Sequence, residues 1–141
     1  MAIPKSFDGI WWSVDVPNNW RVRSDKECAT FQRDPSLGVL QISSAKKERS
    51  PVTDADLSDF ANEGTPTGTH LVRVAYSSFS GFTACFEKDD LTWRQWWLRS
   101  EGLMVYATYN VSTLRLREAV NEQADVEKIL MTLKPTPEPA K

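Results

Sequence analysis

The chain has 141 residues, seventeen Lys or Arg and nineteen Asp or Glu, for a formal charge of −2. That is the length of one domain able to bury about 70% of its unfolded-chain surface, so no disulfide or metal staple is required. The charge balance shows no basic stripe, which argues against a nucleic-acid partner, and no stretch approaches the ~20 apolar residues of a membrane span.

The amino end, MAIPKSFDGIWWSV, lacks the apolar run and cleavage site of a secretory signal. Read as a complete chain, the protein is expected to be cytoplasmic. Cys28 and Cys85 are too few for a disulfide framework and are expected to be reduced, buried thiols. Ile10, Trp12, Val14 and Val16 alternate with Trp11, Ser13 and Asp15, which predicts a strand with one strongly apolar face. Pro17-Asn18-Asn19 turns the chain, and Trp20 to Arg23 starts a second extended piece. After a polar turn at Ser24-Asp25-Lys26, Cys28 to Arg33 and Val39 to Ser43 read as further strands around a turn at Asp34 to Gly38. The first third is thus expected to be an antiparallel meander.

Thr53-Asp54-Ala55-Asp56 has the pattern of a helix-capping box, and Leu57, Phe60 and Ala61 follow at helical spacing. A short amphipathic helix is predicted from Asp54 to Glu63, ended by Gly64 to Gly68. His70 to Ser77 and Phe79 to Lys88 read as strands, with a bulge or bend expected at Ser80-Gly81, and Asp89-Asp90 makes a turn.

Leu91 to Val111, LTWRQWWLRSEGLMVYATYNV, is a predicted hairpin closed at Glu101-Gly102, with Gly102 expected to supply the positive φ of the turn. That turn sets Ser100 opposite Leu103, and the alternation of side chains fixes both faces. One face carries Trp96, Leu98, Val105, Ala107, Tyr109 and Val111, a core composition. The other carries Trp93, Gln95, Trp97 and Arg99 opposite Asn110, Thr108, Tyr106 and Met104, a mixture of rings, amides and a guanidinium that resembles an interface. Glu118 to Leu133 is the second helix, with Ala119, Val126, Ile129, Leu130 and Leu133 on its apolar side and Glu122, Gln123, Glu127 and Lys128 largely opposite. Residues 1–134 form the expected single domain, and 135–141 a Pro-rich disordered tail.

The unit Val14-Asp15-Val16-Pro17-Asn18-Asn19-Trp20, followed by a meander, a helix, a Trp-rich hairpin ending at Tyr109-Asn110 and a closing amphipathic helix, resembles the PsbP-like superfamily. Its members include photosystem II subunits, a Ran-binding nuclear-transport factor and effector chaperones of type VI secretion. Many relatives have Gly before the Trp, where this chain has Asn19. The resemblance implies an α+β fold, an antiparallel sheet with two helices in an αβα sandwich, and a tendency to bind proteins rather than to catalyse.

Chemistry-bearing motifs are sparse. Cys28, Cys85 and His70 are the parts from which a nucleophilic site would be built, but nothing places them together, and Cys85 reads as a small core residue. Asp54, Asp56 and Asp59 fail the spacing of a calcium loop. No catalytic residue, cofactor or metal site is therefore expected. The leading expectation is a non-catalytic protein-binding module, of the kind used as an immunity protein or secretion-effector chaperone. Trp93, Trp97, Arg99, Tyr106 and Trp11 are its expected anchors, with self-association through the same patch an alternative. A small-ligand or lipid-binding domain with a Trp-lined pocket is the second reading, which a concave cavity of several hundred Å3 would favour over a flat face.

Overall fold

The computed structural model describes residues 5–25 and 28–137. Among them ten strands run, β1 Lys5–Asp8, β2 Trp12–Val16, β3 Trp20–Ser24, β4 Cys28–Arg33, β5 Gly38–Lys46, β6 Val72–Ala75, β7 Ser80–Lys88, β8 Leu91–Ser100, β9 Leu103–Ser112 and β10 Lys134–Pro135. Two α-helices, α1 Asp54–Gly64 and α2 Val120–Met131, complete it, the second led in by a 3-10 turn over Thr113–Ala119. No helix of the described residues is long and apolar enough to cross a membrane.

The large sheet has seven antiparallel strands in the order β3-β4-β5-β9-β8-β7-β6. Its centre is the predicted hairpin in the predicted register, Ser100 opposite Leu103 and Trp93 opposite Asn110. The turn differs in detail, because the positive φ falls on Glu101, at 53°, and not on Gly102. Asp89 and Asp90 both take positive φ, the conformation of a tight two-residue loop between right-twisted strands. β7 pairs with β8 without interruption from Ser80 opposite Arg99 to Lys88 opposite Leu91, so the expected bulge at Ser80-Gly81 is not formed.

The inner face of this sheet meets α2 and a second, three-stranded sheet of order β1-β2-β10. Trp20, Phe31, Leu40, Ile42, Trp96, Leu98 and Val105 from the large sheet pack with Trp12, Val14 and Val16 of β2 and with Val126, Ile129, Leu130 and Leu133. The meander expected across the first third is therefore split. β2 leaves for the smaller sheet because its apolar side, Trp12, Val14 and Val16, completes the core from above, while β3 to β5 remain in the large one. The Pro-rich end is also ordered at its start. Lys134 and Pro135 pair with Ser13 and Trp12, and the Thr136 N–H donates to the Trp11 carbonyl at 2.8 Å. Residues 138–141 of the tail expected at 135–141, and part of the turn at Ser24–Lys26, lie outside the described residues.

Glu122 corrects the predicted faces of the second helix. It is fully buried. Its carboxylate accepts from the N–H groups of Leu37 and Gly38, at 2.9 and 2.6 Å, and from the Tyr109 hydroxyl at 2.6 Å. Three donors offset the cost of burying a carboxylate, and they tie α2 to the β4–β5 turn and to the hairpin.

Candidate functional site

The outer face of the hairpin was the expected interface, and α1 covers half of it. Thr53 caps the helix by the predicted box, its Oγ1 accepting from the Asp56 N–H while Asp56 Oδ2 accepts from the Thr53 N–H. So anchored, the helix sets Leu57 and Ala61 on the sheet beside Val52, Ala84 and Trp97. Trp97 is fully buried there and is not an exposed anchor. Its ring lies 6.1 Å from that of Tyr106, which is half-buried beneath Phe60 at 5.2 Å. Arg99 is also turned to internal use, Nε donating to Asp54 Oδ1 at 2.8 Å, while Arg73 takes the other oxygen at 2.9 Å. The Arg99 guanidinium, followed by that of Arg73, holds the Asp54 carboxyl below the usual carboxylate range. Gln95 and Thr108 are buried as well. Of the four hairpin residues, Trp93 stays apart from the helix cluster, half-buried and stacked on Phe86 at 6.4 Å and 12°.

The fifth expected anchor, Trp11, has a different setting. The Trp11-Trp12 pair does not straddle a strand as Trp96-Trp97 does. β2 begins at Trp12, and Ile10-Trp11 form the two-residue turn that joins it to β1. Trp11 has φ 71°, a conformation that Gly or Asn ordinarily fills and that bulky side chains rarely adopt. The turn is held from several sides. The Gly9 N–H donates to the Trp12 carbonyl at 2.8 Å, the Ser44 hydroxyl to the Ile10 carbonyl at 2.8 Å, and the Thr136 N–H to the Trp11 carbonyl. A Cβ on Gly9 would overlap the Trp12 indole, so only glycine allows this close approach. Lys46 sets its ammonium 5.1 Å from the Trp11 ring centroid.

Beneath this turn lies a groove of about 520 Å3, open to solvent on one side. Phe7, Trp11 and Trp12 form its aromatic wall, Ala29 and Ile42 belong to the apolar strands opposite, and Asp8, Asp25, Ser43 and Ser44 add polar groups. Ile10, 45% exposed, is another of its lining residues. Sequence reading found Trp11 but missed Phe7 and Asp8, because four residues with little alternation carry scant strand signal. The Asp8-Gly9 dipeptide was the cue that a turn interrupts the apolar run.

The thiols and the histidine do not converge. Cys28 lies on β4 and Cys85 on β7, four strand spacings apart, or about 19 Å. Cys85 and His70 are exposed, so Cys85 is not the core residue expected. Burial, then the charge of Asp25, pushes the Cys28 thiol up and keeps it protonated at neutral pH.

No family model matches the chain, and no curated protein does. Among solved structures, a protein of Bacteroides thetaiotaomicron VPI-5482 superposes with a TM-score of 0.68 at 18% identity, over 99% of this chain and 51% of that one. The chain thus spans about half the length of that protein. LpqN, involved in cell envelope biogenesis of Mycobacterium tuberculosis, matches with a TM-score of 0.52 at 12% identity, over 95% of this chain and 86% of its own. Cyanobacterial PsbP from Synechocystis sp. PCC 6803 has a TM-score of 0.47 at 8% identity, covering 96% and 94%. The likeness is one of fold. The element order and the two helices bear out the α+β class, an antiparallel sheet with two helices, read from the sequence.

Proposed function

We propose that this protein is a non-catalytic binding module that takes an extended segment of a partner protein at the groove beside Trp11. The observation that carries the reading is the groove itself, built on a turn whose strained Trp is held by hydrogen bonds from both sheets. Backbone strain of this kind persists where the surroundings over-determine it, and it concentrates at binding sites. The open side and the exposed Ile10 suit a segment laid across the surface better than a small molecule enclosed in a cavity. β1, whose Phe7 and Asp8 line the groove, has no strand on its outer edge among the described residues. An extended segment added there gains main-chain hydrogen bonds while its side chains enter the groove. The protonated Cys28 and the separated thiols support the non-catalytic part of the reading. An exposed free Cys85 fits a reducing compartment such as the cytoplasm. Immunity proteins and effector chaperones, which hold one protein partner without chemistry, are roles of this type.

A second reading, a small-ligand domain, is favoured by the groove's volume, which falls within the range of ligand pockets. Random peptides selected against the protein by phage display separate the two. Selected binders are expected to shift the Trp11 indole N–H and the amides of Phe7 to Trp12 in NMR spectra, and to lose about tenfold in affinity with Trp11→Gly. Binders that map instead to Phe86 and Trp93 would show the groove assignment to be wrong.

A further inference from the structure

We propose that the chain pairs with a second copy of itself across the outer face of the large sheet, each copy seating the exposed side of its α1 on the part of that face beyond the other's own helix. The pairing uses a different surface from the groove and does not rest on it. Three observations carry it. First, the outer layer is half built. α1 rests on β7 and β8, so the outer side of β5, β4 and β3 lies beyond it. A second helix packed beside α1 at roughly 8–10 Å stands two strand spacings from β8, which is over β5. Second, the two surfaces carry opposite charge. Arg21 and Arg23 are exposed on β3, and the outer side chains next to them, Gln32, Thr30, Val39 and Gln41, are uncharged. The side of α1 turned away from Leu57 and Ala61 presents Asp59, Asn62 and Glu63, all exposed. Among the described residues no ion pair engages these two arginines or these two carboxylates. Third, the chemistry suits a two-fold axis, where every contact forms twice. Helix on sheet edge sets opposite charges together, whereas helix on helix or edge on edge would set like charges together. In the middle, Gln41 already donates to Thr30 Oγ1 at 3.3 Å, and amides and hydroxyls can both donate and accept, as the partner's Asn62 does. The acidic helix that the open face fits is thus displayed by the chain itself.

The test is sedimentation equilibrium of the full chain over a range of concentrations. A monomer–dimer equilibrium is expected with a Kd of about 10 μM, suited to a small, polar interface. Two charge-swapped chains then locate the contact. Asp59→Lys with Glu63→Lys reverses the helix, and Arg21→Glu with Arg23→Glu reverses the sheet edge. Each alone is expected to weaken the dimer by about thirtyfold, because the exposed pairs of both copies become repulsive. Mixed in equal amounts, the two should recover as a heterodimer within about threefold of the parent affinity, since each reversed patch again meets its opposite. Circular dichroism and the urea midpoint are expected to match the parent in both chains, and lysines toward the end of α1 suit the helix dipole. A parent chain that stays monomeric up to about 1 mM would overturn the pairing. So would a dimer that neither swap weakens, or a mixture of the swapped chains that remains monomeric.

Discussion

Trp11 and Glu122 show how far single residues depart from what their neighbours in sequence announce. Trp11 occupies a φ of 71°, so replacement by glycine removes strain as well as the ring, whereas alanine removes only the ring. Trp11→Gly is therefore expected to be more stable than Trp11→Ala by about 1 kcal/mol in urea unfolding. Equal stability of the two would mean that the turn relaxes without the indole. Glu122 is the opposite case, a charge where the helix pattern called for a solvent face. Glu122→Ala leaves the Leu37 and Gly38 N–H groups and the Tyr109 hydroxyl without their acceptor. The expected loss is about 3 kcal/mol or more, against about 1 kcal/mol for Tyr109→Phe, both measured by denaturant titration.

At the scale of elements, α1 decides which part of the outer sheet face is available. Its entry is fixed by the Thr53–Asp56 box and by Lys47, whose ammonium lies 2.8 Å from Asp56 Oδ2. The Lys47 hydrogen bond, then the Thr53 N–H, holds the Asp56 carboxyl at about 2. A depressed carboxylate contributes stability that is fully present above its ordinary pKa, near 4, and is lost as pH falls toward 2. A carboxyl-carbon NMR titration should place the Asp56 midpoint near the bottom of that window, and Lys47→Ala should raise it. Leu57→Ala, which empties a fully buried site against Trp97, is expected to cost about 3 kcal/mol and to shift tryptophan emission to the red. An unshifted spectrum would contradict the burial of Trp97 by the helix.

For the whole molecule, the three-stranded sheet is completed only by residues that follow α2. β10 pairs with β2, and Thr136 fastens the carbonyl of Trp11. Truncation after Leu133 removes those bonds. A loss of about 1–2 kcal/mol is expected, together with faster hydrogen exchange at Gly9, whose N–H bond closes the Trp11 turn. Unchanged exchange there would show that the turn stands without the end of the chain. Peptide affinity at the groove should fall in the same truncated protein.

The sequence by itself determined the hairpin, its register and its inner face, both helices and the capping box. These follow from local alternation, turn residues and helical spacing, and local geometry suffices to read them. It could not determine which outer residues stay open. The distinction between Trp97 under α1 and Trp93 beyond its cluster depends on where a helix lands some thirty residues earlier in the chain. Nor could it place Glu122, whose partners come from the β4–β5 turn and from β9. Trp11 was legible as an informative aromatic, but its place in a turn over a groove was decided by Gly9, Ser44 and Thr136. Their hydrogen bonds come from elements up to the end of the chain, and only packing brings them to one carbonyl-lined turn.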